Sequence, residues 1–425
     1  LDELANGQQL ITERLDHLRS ICLGFWIPVG SRDEVAGSTG VTHFIEHLLF
    51  KGSSRYSAEK TAQIFDTLGG ELNAATSREY VVVYGRFLDE QLSTAMDVLV
   101  DMLLTPTFTD LDREREVVLE EIAMYEDSPQ ELIHDVLVEA MFGSHPVAHP
   151  VLGSRASIAG LPEDEIRAYH RRHFRFSDMV VAAAGNVDHD ELASLLLAEH
   201  GARDSAGLQP VTVAADIEPR QAFVDKETEQ MHVCLGGEGL ARNDERRFAL
   251  AVLDSVVGGS LSSRLLQEVR EKRGLVYSIY SFSNMFRETG LCGVSFGCRP
   301  DRVGQVMETV IRELEHIGRV PVPAEELRRA KEHLKGRVIL GLESTSSRMT
   351  RLGKALLIGT EILTLDQLED RIDRVTPDDV QSLAQQVFSP ERMTVVGIGN
   401  DRSVFEAAVP AGRSPVDIRL ERGAA

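Results

Sequence analysis

Two stretches of this chain, 214 positions apart, carry the same residues in the same order. Met179, Val181, Gly185 and Asn186 return as Met393, Val395, Gly399 and Asn400. Each set follows a segment that opens on proline and acids, Pro162-Glu163-Asp164 and Pro377-Asp378-Asp379, and then passes Phe174 or Phe388. A single match of this kind is cheap, but an ordered set on equivalent predicted elements marks an internal duplication. It predicts two similar α+β halves of roughly 200 residues each. Gly, Ser and Pro punctuate the chain and periodicity is lost between Gly201 and Pro219, so the expected domains are 1–208 and 209–425.

The local patterns fill both halves with strands and helices. Ile21, Leu23, Phe25 and Ile27 alternate with Cys22, Gly24 and Trp26, which predicts a strand. Helices are expected over 42–50, 58–68, 88–104, 109–126, 129–141 and 162–173, the second of them stopped by Gly69-Gly70. In the second half they are expected over 244–257, 262–271, 301–318, 323–342 and 377–387. Strands are read within 71–86, 179–184, 221–236, 275–284, 290–296 and 393–398.

The chain has 425 residues, 45 basic against 67 acidic, and a net charge of −22. That surplus opposes a nucleic-acid or anionic-membrane partner. No run approaches the length of a membrane span. Cys22, Cys234, Cys292 and Cys298 fall at no motif spacing, which speaks against a disulfide framework or a CxxC metal ribbon. The numbering begins without Met, and Leu1 to Gln9 shows no basic stretch followed by an apolar one. With so few cysteines, the expected compartment is a bacterial cytoplasm.

Chemistry concentrates in His43-Phe44-Ile45-Glu46-His47. Histidines at i and i+4 of a helix point their imidazoles to one side, where two nitrogens can hold one divalent metal, and zinc suits imidazole with carboxylate. Glu46 lies beside both, within reach of a metal-bound water. The order is the reverse of HExxH, the inverted zinc-hydrolase signature. A catalytic zinc takes three protein ligands, so a third is expected elsewhere. The acidic helix over 109–126 offers Glu114 and Glu121, which share a face at i and i+7, and Glu120 about 100° from Glu121. Spacing by itself leaves Glu120 and Glu121 both open.

The motifs together resemble the M16 metallopeptidases, the family of pitrilysin, insulin-degrading enzyme and mitochondrial processing peptidase. The likeness runs through Gly40-Val-Thr-His-Phe-Ile-Glu-His-Leu-Leu-Phe-Lys-Gly52, Gly69-Gly70, Asn73-Ala74, Thr76 and Glu114-Arg-Glu-Val-Val-Leu-Glu-Glu-Ile122. In the second half it includes Arg270-Glu-Lys-Arg-Gly-Leu-Val-Tyr277. It spans nearly the whole chain and is strongest to short bacterial members related to the processing-peptidase β subunit.

The resemblance implies an LuxS/MPP-like metallohydrolase fold, in which each half is a largely antiparallel sheet packed with helices. It implies one zinc per chain on His43, His47 and Glu121, with Glu114 supporting a ligand. Glu46 would be the general base for a zinc-activated water. Asn73 and Ala74, on a strand after the paired glycines, would bind an extended peptide, and Arg270 with Tyr277 would grip substrate and stabilise the scissile carbonyl. The second half, with His232 and His333 lacking spaced carboxylates, is expected to hold no zinc.

The implied activity is zinc-dependent endopeptidase cleavage of short or unfolded peptides. A chain of this length would supply half of a closed chamber, implying a homodimer or a heterodimer with another M16 subunit. A presequence-processing peptidase with a partner subunit and a noncatalytic peptide-binding subunit are the other readings. The intact metal motif speaks against the last.

Overall fold

The computed structural model describes residues 1–35, 37–199 and 212–418. The expected boundary at 201–219 therefore falls mainly outside the described residues. The chain forms two compact units, each assembled from separated segments.

The first unit comprises Leu1–Ala123, His149–Val211 and Gly341–Ile362. Its sheet contains β1 (Asp2–Glu3), β2 (Gln9–Arg14), β3 (Ser20–Ile27), β4 (Glu71–Thr76), β5 (Val81–Leu88) and β6 (Val180–Gly185). Their order is β1-β2-β6-β3-β5-β4. β2 and β6 run parallel and the other neighbours antiparallel. The sheet is thus mixed. The apolar run of β6, Val-Val-Ala-Ala-Ala-Gly, is buried throughout, as a central strand covered on both faces requires.

One face of this sheet, with Leu23, Phe25 and Ile27 of β3, packs on Phe44, Ile45 and Leu48 of helix α1 (Val41–Leu49), on Phe65 of α2 (Ala58–Thr67) and on Met96 and Leu99 of α3 (Leu92–Leu104). The other face, with Cys22, Trp26 and Val82, is covered by the helix Thr345–Ile358 through Met349 and Leu352. That contact needs two glycines. A Cβ on Gly353 would stand 2.0 Å from Trp26 Nε1, and one on Gly24 would stand 2.4 Å from Met349 Sδ.

The second unit comprises Met124–Ala148, Thr212–Leu340 and Leu363–Ala425. Its strands are β7 (Arg220–Asp225), β8 (Met231–Glu238), β9 (Ser278–Met285), β10 (Gly290–Cys298), β11 (Thr394–Gly399) and β12 (Ser414–Pro415), in the order β12-β7-β11-β8-β10-β9. The order β7-β11-β8-β10-β9 repeats β2-β6-β3-β5-β4, including the parallel pair β7–β11. The repeat is visible residue by residue: β6 and β11 both span six residues and start at 180 and 394, and the helices before them start at 163 and 377. Both offsets are 214.

A feature absent from the sequence reading is the exchange of one helix between halves. The helix Pro129–Phe142 packs Val136, Leu137 and Met141 on the sheet of the second unit, where Gly236 of β8 leaves room for Leu137. Its counterpart Thr345–Ile358 covers the first. The segment expected as a helix over 262–271 forms a wider π-helical turn at Leu266–Glu271. The expected strand regions 71–86 and 221–236 each resolve into two strands.

Candidate metal centre

Helix α1 carries three of the four motif residues that matter. It opens at Gly40, whose φ of +89° favours glycine, and a Cβ there would stand 2.6 Å from the carbonyl oxygen of Leu152. No N-cap side chain serves this end. Instead the buried Glu34 carboxyl accepts the N–H groups of Gly40 at 2.7 Å and Thr42 at 2.9 Å, while burial pushes its pKa up to about 8 against those two hydrogen bonds. Phe44, Ile45, Leu48 and Leu49 anchor the buried side of α1. His43, Glu46 and His47 are left on the side toward helix α4 (Leu111–Glu126) and the end of β4.

Helix α4 brings Glu114 and Glu121 to the same histidines. His47 Nε2 lies 3.2 Å from Glu121 Oε2, and His43 Nε2 lies 3.7 Å from the same oxygen. The imidazole centroids are 4.7 Å apart. One donor atom from each of His43, His47 and Glu121 falls within 4.8 Å of the others. Tetrahedral bonds of about 2.0–2.1 Å place ligand atoms about 3.3–3.4 Å apart, close to the two distances to Glu121. Burial, with His47 adding to it, lowers the pKa of His43 to about 3 and keeps its lone pair available. Two imidazoles and a carboxylate are a zinc donor set. Glu120 is exposed and outside this cluster, so tertiary structure separates the two candidates that spacing left open.

Around the ligands stands a further layer. His47 Nδ1 donates to Glu114 Oε1 at 3.0 Å, and Lys51 Nζ meets Glu114 Oε2 at 2.8 Å. Glu114 is buried, and its placement beside a ligand histidine is the arrangement that fixes ring orientation and tautomer. Glu46 is half-buried and accepts the Thr76 hydroxyl. Burial raises its pKa, opposed by Thr76 and His47. Glu34 and Lys51 were not assigned roles from sequence, and Thr76 was noted only as part of the resemblance. Glu34 lies six residues before the N-cap Gly40, too far along the chain for the preference for acids at a helix N-terminus to single it out. Nothing local signals Lys51 or Thr76.

The remaining expected site residues lie in two places. Asn73 is exposed on β4 and takes the N–H of Ala74 on its own side-chain oxygen at 2.8 Å, while Ala74 is half-buried. In the second unit Arg270 sits on the π-helical turn with its guanidinium 5.3 Å from the centre of the Tyr277 ring, and Tyr277 is 81% exposed. Among the described residues, no helix is long and apolar enough to cross a membrane.

Comparison with known proteins agrees with this site. The family described as "Insulinase (Peptidase family M16)" matches residues 11–155, and that described as "Peptidase M16 inactive domain" matches residues 161–334. An uncharacterized zinc protease of Streptomyces coelicolor is 42% identical over 410 residues, 94% of this chain and 89% of that protein. The uncharacterized zinc protease YmxG of Bacillus subtilis is 37% identical over 388 residues, 91% of this chain and 95% of its own.

Among solved structures, a protease from Helicobacter pylori has a TM-score of 0.88 at 21% identity, covering 94% of this chain and 98% of that one. A peptidase M16 inactive domain from Pseudomonas fluorescens has a TM-score of 0.87 at 20% identity, with coverage of 94% and 98%. These two speak for the fold. His43, Glu46, His47 and Glu121 together make a zinc-protease active site, and the chain belongs to peptidase family M16.

Proposed function

We propose that this zinc-dependent endopeptidase cleaves short or unfolded peptides held in extended form. The observation that carries the reading is the convergence of His43, His47 and Glu121 within 4.8 Å, with Glu46 on the same helix face. Zinc on these three residues supplies a Lewis acid for the scissile carbonyl and lowers the pKa of a water.

The chain's own groups do the rest. Glu46 accepts a proton from the attacking water and delivers it to the leaving amine nitrogen. Its burial favours a pKa above that of a solvated carboxylate, which suits a group that must take up and release a proton. Glu114 holds His47 with Nε2 toward the metal position.

The peptide joins β4. This strand ends the sheet order, and among the described residues its outer edge pairs with no other strand. Backbone pairing along such an edge binds extended chains with little demand on sequence. Asn73 lies along that strand, and Ala74 leaves room for a close main chain. Arg270 and Tyr277, side by side in a cation–π contact, are the donor pair that grips the substrate. A second copy of the chain completes the enclosure and excludes folded proteins.

The test is zinc content together with hydrolysis of a quenched peptide library, compared with Glu46→Gln. Zinc-free protein that still cleaves, or a Glu46→Gln chain as active as the parent, would overturn the reading. Native mass measurement addresses assembly: an active monomer would remove the dimer, and an inactive chain rescued by another M16 subunit would replace it with a heterodimer.

A further inference from the structure

The Glu46 carboxylate is held from a different element than the metal ligands are. Among the described residues, the side chain hydrogen-bonded to it is Thr76, whose Oγ1 donates to Glu46 Oε2. Thr76 is the last residue of β4 and pairs with Val81 of β5.

The turn beyond it is braced on several sides. Ser77 Oγ accepts the N–H groups of Glu79 at 3.2 Å and Tyr80 at 3.1 Å and donates to the Tyr80 carbonyl at 3.0 Å. The Ser31 and Arg32 N–H groups donate to the carbonyls of Ser77 and Arg78 at 3.2 and 3.0 Å. Arg32 and Glu79, both buried, pair beneath the turn at 2.5 Å. A Cβ on Gly30 would fall 2.4 Å from the Arg78 carbonyl carbon, so this approach is as close as the backbones permit.

A hydroxyl fixed in this way, with the Thr76 backbone N–H also facing the carboxylate, holds one oxygen of Glu46 in a set place. A glutamate side chain has three rotatable bonds, and burial alone does not choose among its rotamers. The same strand end also terminates the open edge that extended peptides would join.

We infer that Thr76 is the positioning residue for the general base: its hydroxyl holds Oε2 of Glu46, leaving Oε1 to the water, and thereby sets the base in register with a peptide on β4. This rests on Glu46 being the base. Misplacing a reacting group by about 1 Å can cost on the order of 100-fold in rate. Loss of the hydroxyl should act on turnover and leave the metal untouched.

The test compares Thr76→Val, Thr76→Ser and Glu46→Gln in the full chain, measuring kcat, KM and bound zinc. Thr76→Val is expected to lower kcat by ~10- to 100-fold with KM within about twofold and zinc unchanged. Thr76→Ser, which keeps the hydroxyl, is expected to recover most of the turnover. Thr76→Ala serves the same comparison if valine disturbs the fold. Parent-like kcat in Thr76→Val, an effect on KM alone, loss of zinc, or a Thr76→Ser chain as slow as the valine variant would each overturn the inference. An active Glu46→Gln would sink the base assignment itself. An inactive Glu46→Gln beside a fully active Thr76→Val would sink only the role of Thr76.

Discussion

His47 donates its Nδ1–H to Glu114 across 3.0 Å, and Glu114 in turn meets Lys51 Nζ at 2.8 Å. The chain of contacts runs from a half-exposed cation through a buried carboxylate to a metal ligand. Such outer partners orient ligand histidines and raise their basicity, and their loss costs ~10- to 100-fold in metal affinity. Glu114→Ala is therefore expected to weaken zinc binding by that factor while α1 and α4 stay folded. Competition with a chelator of known affinity, alongside far-UV circular dichroism, checks both halves of the expectation.

Removing the base leaves the ligands in place. Glu46→Gln is nearly isosteric and keeps an oxygen that can accept the Thr76 hydroxyl. Turnover is expected to fall by ~10²- to 10⁴-fold, the usual worth of a positioned general base, with one zinc still bound per chain. Single-turnover hydrolysis of a fluorogenic peptide and elemental analysis of the same sample decide the matter. Loss of zinc with retained hydrolysis would reverse the assignment.

Gly40 opens the metal-binding helix from a left-handed conformation, with Leu152, Gly153 and Ile158 packed against its Cα. Alanine there faces a positive φ and contacts of 2.6–2.9 Å, two of them with backbone. Left-handed strain costs about 1–2 kcal/mol and overpacking about 1–3 kcal/mol. Gly40→Ala is expected to lose about 3 kcal/mol in urea unfolding. A loss under about 0.5 kcal/mol, within the range of ordinary surface substitutions, would mean that the turn can relax.

Acid should loosen the first unit through His170. Burial lowers its pKa to about 4, against the hydrogen bond of its Nε2–H to the Leu103 carbonyl at 2.9 Å. The unfolded imidazole has a pKa near 6.5. Between these values the unfolded chain binds the extra proton, so stability is full above about pH 6.5 and is lost as pH falls toward 4. The contribution is on the order of 3 kcal/mol at most. His170→Gln, whose amide can still donate to Leu103, should reduce that slope and leave the share of His43 and His173, whose pKa values burial also lowers. Urea midpoints at pH 7.5 and pH 5 measure it, and equal slopes in both proteins would remove His170 as the cause.

Much of this molecule could be read before its structure. The duplication survives as residue identities at a fixed offset because both copies bury β6 and β11 as central strands, and few side chains fit there. His43, Glu46 and His47 were legible together because four residues make just over one helical turn. For the same reason Glu114 and Glu121 could be placed on one face. Local spacing fixes local direction, and it needs no knowledge of the rest of the fold.

What lay beyond the sequence were relationships between segments distant along the chain. Helix spacing left Glu120 and Glu121 both open and only the resemblance named Glu121; it meets the histidines because of how α4 packs against α1. Thr76 reaches Glu46 because β4 ends beside α1. The helix Thr345–Ile358 covers Trp26 because Gly353 removes a side chain opposite the indole, a complementarity between residues more than 300 positions apart. Sequence alone determined the repeated architecture and the inverted metal motif, since periodicity and short spacing are set by backbone geometry. Tertiary structure alone decided the support of the base and the exchange of helices, and it brought Glu121, which spacing left open and only the resemblance named, to the histidines, since each depends on which surfaces are buried against one another.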